Sequence, residues 1–97
     1  MKFGLDYKYY EMIKNVLCKI DDIEQVIIFG SRATDKATKG SDIDLALKGE
    51  KVNLELVLKI LGNLDELPIA YKFDIVNYNQ IPAELKEQID KYGKVFM

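Results

Sequence analysis

A chain of 97 residues with 48% hydrophobic and 31% charged residues has the composition of a folded protein, not a disordered one. Its net charge of −2 speaks against a non-specific nucleic-acid binder, which would carry a clear basic excess. With one cysteine and no histidine, it can build neither an internal disulfide nor a Cys/His zinc site.

The length suits one compact domain over residues 1–97, whose modest core would gain from a partner subunit. The longest wholly apolar run, Val26-Ile27-Ile28-Phe29, is far too short to span a membrane. The opening MKFGLDYKYYE shows no apolar stretch of the kind found in a secretory signal. These features together point to a cytoplasmic protein, with Cys18 expected as a small buried side chain.

Ile13, Val16, Leu17 and Ile20 recur at helical spacing and predict a first helix over about Asp6 to Asp21, with Asp6 as its N-cap. Tyr7, Tyr9 and Tyr10 crowd its start, and some of them must face outward. Val26 to Phe29 is short and β-branched, the signature of a buried strand, and Gly30 ends it. Ser31-Arg32-Ala33 can open a short helix, and Thr34 to Ser41 is polar enough to be a loop.

Asp42 to Lys48 alternates, with Ile43, Leu45 and Leu47 on one face and Asp42, Asp44 and Ala46 on the other. Leu54, Val57, Leu58, Leu61 and Leu64 form the next helical stripe. Tyr71 to Tyr78 is a third strand, in which Phe73 and Ile75 oppose Lys72, Asp74 and Val76. Pro82 suits the first turn of a last helix with the stripe Leu85, Ile89 and Tyr92, and Gly93 suits its end. The Val95-Phe96-Met97 tail is apolar enough to pack on the sheet or on a partner. The order αβ(α)βαβα describes an α/β (α+β) domain: a mixed sheet of three core strands packed with helices.

The chemistry lies in IIFGSRATDKATKGSDIDLAL, Ile27 to Leu47. Residues two apart on a strand point the same way, about 7 Å apart at Cα, so Asp42 and Asp44 can aim both carboxylates at one place. At about 5 Å and an effective dielectric near 20, two such charges repel by roughly 3 kcal/mol. A divalent cation removes that cost, and hard oxygen ligands select Mg²⁺ or Mn²⁺. A bare D-x-D is more often a solvated strand end. Gly30 and Ser31, at a strand-to-helix turn, offer backbone N–H groups and a hydroxyl where an anion can approach. Arg32 can bind phosphate oxygens or pair with an aspartate. The phosphate loop GxxxxGK[ST] is absent. Asp74 is the candidate third carboxylate of a two-metal centre, with Lys72 on the same face as its ordinary salt-bridge partner.

Taken together, Gly30-Ser31, ten residues, Asp42-Ile43-Asp44 and the later Asp74 resemble the DNA polymerase β-like nucleotidyltransferase superfamily. The string GSRA…G-SDIDL and the ending IPAELKEQIDKYGKVF resemble its minimal nucleotidyltransferase (MNT) branch. The resemblance implies two Mg²⁺ ions (or Mn²⁺) held by Asp42, Asp44 and Asp74, and ATP as substrate. It places Gly30, Ser31, Arg32 and Ser41 at the nucleotide, and gives Asp74 a part in deprotonating the attacking hydroxyl. It further implies transfer of AMP to a hydroxyl of a partner protein, a HEPN-domain toxin, in a hetero-oligomer where this chain is the antitoxin. The same superfamily contains small-molecule, antibiotic-type enzymes, which usually add acceptor-binding domains. An antitoxin acting by binding alone is the third reading.

Overall fold

The computed structural model describes residues 2–38 and 40–97, so Lys39 of the expected loop lies outside the described residues. The chain runs through α1 (Tyr7–Leu17), β1 (Gln25–Phe29), a 3₁₀ turn (Gly30–Arg32), β2 (Ile43–Lys48), α2 (Leu54–Asp65) and β3 (Phe73–Asn77). A second 3₁₀ turn (Tyr78–Gln80), α3 (Ala83–Tyr92) and β4 (Lys94–Val95) complete it.

Each helix starts where a side chain or ring suits its free N–H groups. The Asp6 carboxylate accepts from Lys8 N at 3.2 Å, and the Asn53 side chain accepts from Leu56 N at 2.9 Å. Pro82 precedes α3, and Gly93 follows its last turn. Helix α1 stops at Leu17, four residues short of the expected Asp21, and Cys18 sits exposed at its C-cap. The expectation of a buried cysteine is therefore corrected: the helix ends before Cys18 can turn towards the sheet.

The four strands lie in the order β3-β2-β1-β4. Strand β1 is antiparallel to both β2 and β4, while β2 and β3 are parallel. A parallel pair needs a crossover, and α2 supplies it. The expected mixed sheet is present, and β4 is an addition to its three strands. Val26 O accepts from Phe96 N at 2.8 Å, and the buried Tyr10 hydroxyl donates to Phe96 O at 2.9 Å. The apolar tail thus packs on this chain's own sheet.

Alternation along the strands divides the interior. Val26, Ile28, Ile43, Leu45, Leu47 and Ile75 face α1 and α2 in the main core. Ile27 and Ala46 face the other way and meet Ile89 of α3, with Phe29, Val76 and Leu85 half-buried around them. Helix α3 covers only part of this second face. It is tied down by the Tyr78 hydroxyl, which donates to Asp90. The remainder of the face, continuing the Ala46 and Val76 rows, carries Asp44 and Asp74.

The α2 stripe is rotated from the expected one. Its buried residues are Val57, Ile60 and Leu64, whereas Leu54 and Leu58 are 66% and 58% exposed. In a helix this rich in leucine several stripes satisfy the same period, and only packing selects one. Ile60→Ala is expected to cost about 2–5 kcal/mol by leaving a cavity. Leu58→Ala should stay within about 0.5 kcal/mol. Paired thermal or urea melts of the two variants check the assignment.

Candidate active site

Strand β1 runs into the site and stops there because Gly30 turns the chain. Gly30 has φ +74°, in the left-handed region that favours glycine. A Cβ at this position would overlap the Asp44 carboxylate. Bare backbone at the end of β1 therefore lies against the acid in β2, and any other residue here would adopt a strained φ and displace the Asp44 carboxylate.

Three carboxylates share this part of the sheet. Asp44 pairs with Asp74 across the parallel β2–β3 ladder, so the two sit side by side about 5 Å apart at Cα. Asp42 lies two residues before Asp44, one residue outside β2, and is exposed. Asp74 is also exposed, because β3 is an edge strand. Its charge is solvated, which explains how a central strand position tolerates it. The ordinary partner for Asp74 is not realised: among the described residues the one ion pair joins Lys94 to Asp35.

Asp44 carries the electrostatic load. Its carboxyl is raised above the ordinary carboxylate range, first by burial, then by the charges of Asp74 and Asp42. Arg32 pulls the other way and is the smallest of the four influences. These crowded hard oxygen donors suit Mg²⁺ chemistry. Among the described residues, no three acidic side chains already close on one point as a metal cage.

The turn expected to receive an anion is Gly30–Arg32. Its carbonyls are occupied: Gly30 O accepts from Ala33 N at 3.2 Å, and Ser31 O accepts from Lys36 N at 2.9 Å. Among the described residues the half-buried Ser31 hydroxyl has no hydrogen-bond partner. The Ser41 hydroxyl is engaged within the loop, accepting from Thr38 N at 2.9 Å. Its place is that of a loop clasp immediately before Asp42.

Arg32 is placed differently from the sequence expectation of a phosphate ligand. It is 1% exposed. Nη1 donates to Phe3 O at 3.1 Å, Nη2 donates to Ser41 O at 2.9 Å, and the guanidinium lies 4.8 Å from the centre of the Tyr71 ring. One planar fork thus joins the N-terminal turn, the Gly30 turn and the residue before Asp42. The turn it holds is itself tight: Lys2 and Leu5 exchange backbone hydrogen bonds around Phe3 and Gly4, both with positive φ. Phe3-Gly4 is a plausible turn by composition, but nothing local in the sequence pairs it with Arg32.

The structure therefore brings together Gly30, Ser31, Asp42, Asp44 and Asp74, with Arg32 and Ser41 behind them as supports. The family described as "Polymerase beta, Nucleotidyltransferase" matches residues 11–97, and the chain belongs to it. A Methanocaldococcus jannaschii protein named as a protein adenylyltransferase is 37% identical over 70 residues, covering 72% of this chain. The aligned part is 52% of that relative, so the chain spans about half the length of the curated protein it matches.

Solved structures show the same fold. A chain of the MntA-HepT toxin–antitoxin superposes with a TM-score of 0.71 at 18% identity, over 95% of this chain and 72% of the other. A toxin–antitoxin solved with AMP-PNP gives 0.67 at 21% identity, over 96% and 73%. A complex of a tri-AMPylated Shewanella oneidensis HEPN toxin with its MNT antitoxin gives 0.65 at 21% identity, over 96% and 72%.

Two outcomes follow from the geometry. Arg32→Lys cannot bridge Phe3 O and Ser41 O together, and is expected to lose about 1–3 kcal/mol in denaturant titrations. Because the Asp44 carboxyl is raised, the folded protein retains a proton in the window just above the ordinary carboxylate value, where the unfolded chain has lost it. Ionisation then removes stability as pH rises through that window. Asp44→Asn should therefore raise the melting temperature at neutral pH in metal-free buffer, and change it little below the ordinary carboxylate range.

Proposed function

We propose that this protein is a Mg²⁺-dependent nucleotidyltransferase that moves AMP from ATP to a hydroxyl of a partner protein. The observation that carries the reading is the Gly30–Asp44 contact: backbone fit for phosphate, pressed against a carboxylate flanked by two more. The family supports nucleotidyl transfer as the class of reaction. The relative's name supports a protein acceptor, and the AMP-PNP complex of a structural neighbour supports an adenine nucleotide.

In this reading Gly30 and Ser31 receive the triphosphate, the first by lacking a side chain and the second through its unpartnered hydroxyl. Asp42 and Asp44 would hold the metal ions, with Asp74 completing one of the two. Bound Mg²⁺ would offset negative charge on the phosphoryl oxygens and on the departing pyrophosphate. Asp74, exposed on the edge strand, accepts the proton of the incoming hydroxyl. The hydroxyl oxygen forms a bond to the α-phosphorus as the bond from that phosphorus to pyrophosphate breaks. Arg32 contributes by holding the turn and the Asp42 segment in register, a positioning role.

The exposure of Asp74 favours a large acceptor, since the proton-accepting side of the site opens to solvent at the sheet edge. A HEPN toxin is the proposed partner, by analogy with the structural neighbours named as MNT–HEPN complexes. The protein would then act in the cytoplasm as an antitoxin in a hetero-oligomer, a single domain of residues 1–97 serving the reaction.

Incubation with ATP, Mg²⁺ and the HEPN partner, followed by intact mass of both chains, tests this. The partner should gain one or more AMP units with wild-type protein. Asp42→Asn/Asp44→Asn should abolish the gain while keeping the wild-type circular dichroism, because both residues lie at the polar end of β2. A partner silenced without any mass gain would leave binding alone as the activity.

A further inference from the structure

The second face of the sheet has one concavity that the proposed chemistry does not use. A cavity of about 350 Å³ lies between the end of β1 and helix α3, lined by Phe29, Gly30, Leu85, Gln88, Ile89 and Tyr92. This is the lower end of the roughly 300–1,000 Å³ found for small-molecule pockets. Gly30 belongs both to this cavity and to the phosphate side of the site. Phe29 is the direct cross-strand partner of Asp44 on the same face. The cavity therefore borders the Gly30 turn on the face that carries the carboxylates, one strand further from the edge at which Asp74 is exposed.

Its lining has a definite chemistry. Leu85, Ile89 and the half-buried Phe29 are apolar, and Tyr92 presents an aromatic ring that is 53% exposed. No charged side chain lines the cavity. Gln88 contributes an amide, a donor beside an acceptor. The other polar side chain, Thr34, already directs its hydroxyl towards Gly30 O and Ser31 O. A flat, neutral ring with its own adjacent donor and acceptor matches this lining, whereas a phosphate or a carboxylate does not.

We propose that this cavity seats the adenine ring of the donor nucleotide, with Gln88 reading the base edge and Phe29 and Tyr92 as its aromatic walls. The assignment rests on the nucleotidyltransferase reading above and deepens it by naming what selects the nucleotide. A glutamine amide complements the N6 donor and N7 acceptor of adenine. The nucleotide would lie across the sheet: base over β1, phosphates at the Gly30 turn, reacting phosphorus over β2, acceptor arriving at β3. Placing the base and the acceptor at opposite ends keeps the β3 edge free for a protein partner.

Calorimetric titration of the intact protein in Mg²⁺ buffer with ATP and, separately, inorganic tripolyphosphate tests the assignment. Wild-type protein should bind ATP about tenfold or more tightly than tripolyphosphate, a margin typical of one bidentate amide–base contact with stacking. Gln88→Leu should shrink that margin severalfold while leaving tripolyphosphate affinity unchanged. Gln88 is exposed on α3, so the fold tolerates the change. Equal affinity of the wild type for both ligands would overturn the base assignment while leaving the phosphate and carboxylate site standing. Equal weakening of both ligands by Gln88→Leu, or no weakening of ATP, would overturn it too. Failure of ATP to bind wild-type protein would overturn the nucleotide reading itself, and this inference with it.

Discussion

Everything in the site depends on the close approach of Gly30 to Asp44. The β1–β2 register sets Phe29 opposite Asp44, and the next residue must turn away at positive φ with no side chain. A backbone amide and a carboxylate are thereby forced into the same small volume. Burial and two neighbouring acids oppose ionisation of Asp44, so the site is electrostatically unsatisfied as the chain stands. In the proposed reading cations would relieve that repulsion and would in turn draw phosphate. Catalytic electrostatics of this type is preorganised: the cost of assembling like charges is met by folding, before substrate arrives.

That cost must be secured from behind, and Arg32 is placed to do so. Its buried fork holds Phe3 and Ser41, and its face covers Tyr71, so the N-terminal turn, the Gly30 turn and the approaches to β2 and β3 meet at one guanidinium. Its Nε has no hydrogen-bond partner among the described residues. The charge also moderates the repulsion on Asp44, although burial and the neighbouring acids outweigh it. An arginine beside a glycine-serine turn is easily taken for a phosphate ligand. Here the two carbonyls reached it first.

The two faces of the sheet divide the labour. The α1/α2 face is closed and apolar, and it supplies stability. The other face is only half covered, by a ten-residue helix resting on Ile27 and Ala46. Leaving part of a sheet face open would normally waste burial in so small a chain. The open part is where the three aspartates stand, and its border with α3 forms the apolar cavity beside Gly30. The proposed site and the missing burial occupy the same ground.

Much of this was legible in the linear chain. Helix starts at Asp6 and Pro82, strand periods and the placing of Gly30, Asp42, Asp44 and Asp74 are local properties, set by backbone geometry over a few residues. Other features were not. Ile60 rather than Leu58 faces the core because packing chose among equivalent stripes, and Cys18 is exposed because α1 ends at Leu17. The pairing of β4, two residues long, depends on Ile27 and Ile28 of β1, far away in sequence, and has no local signal. The place of Arg32 was hidden for the same reason: its partners Phe3 and Tyr71 are distant in sequence. The sequence by itself determined which chemical groups the protein owns and the order in which strands and helices present them. Only the tertiary structure decided which of those groups stand open to a ligand and which are spent on holding the fold, because burial and hydrogen-bond partnership are settled between segments that meet only on folding.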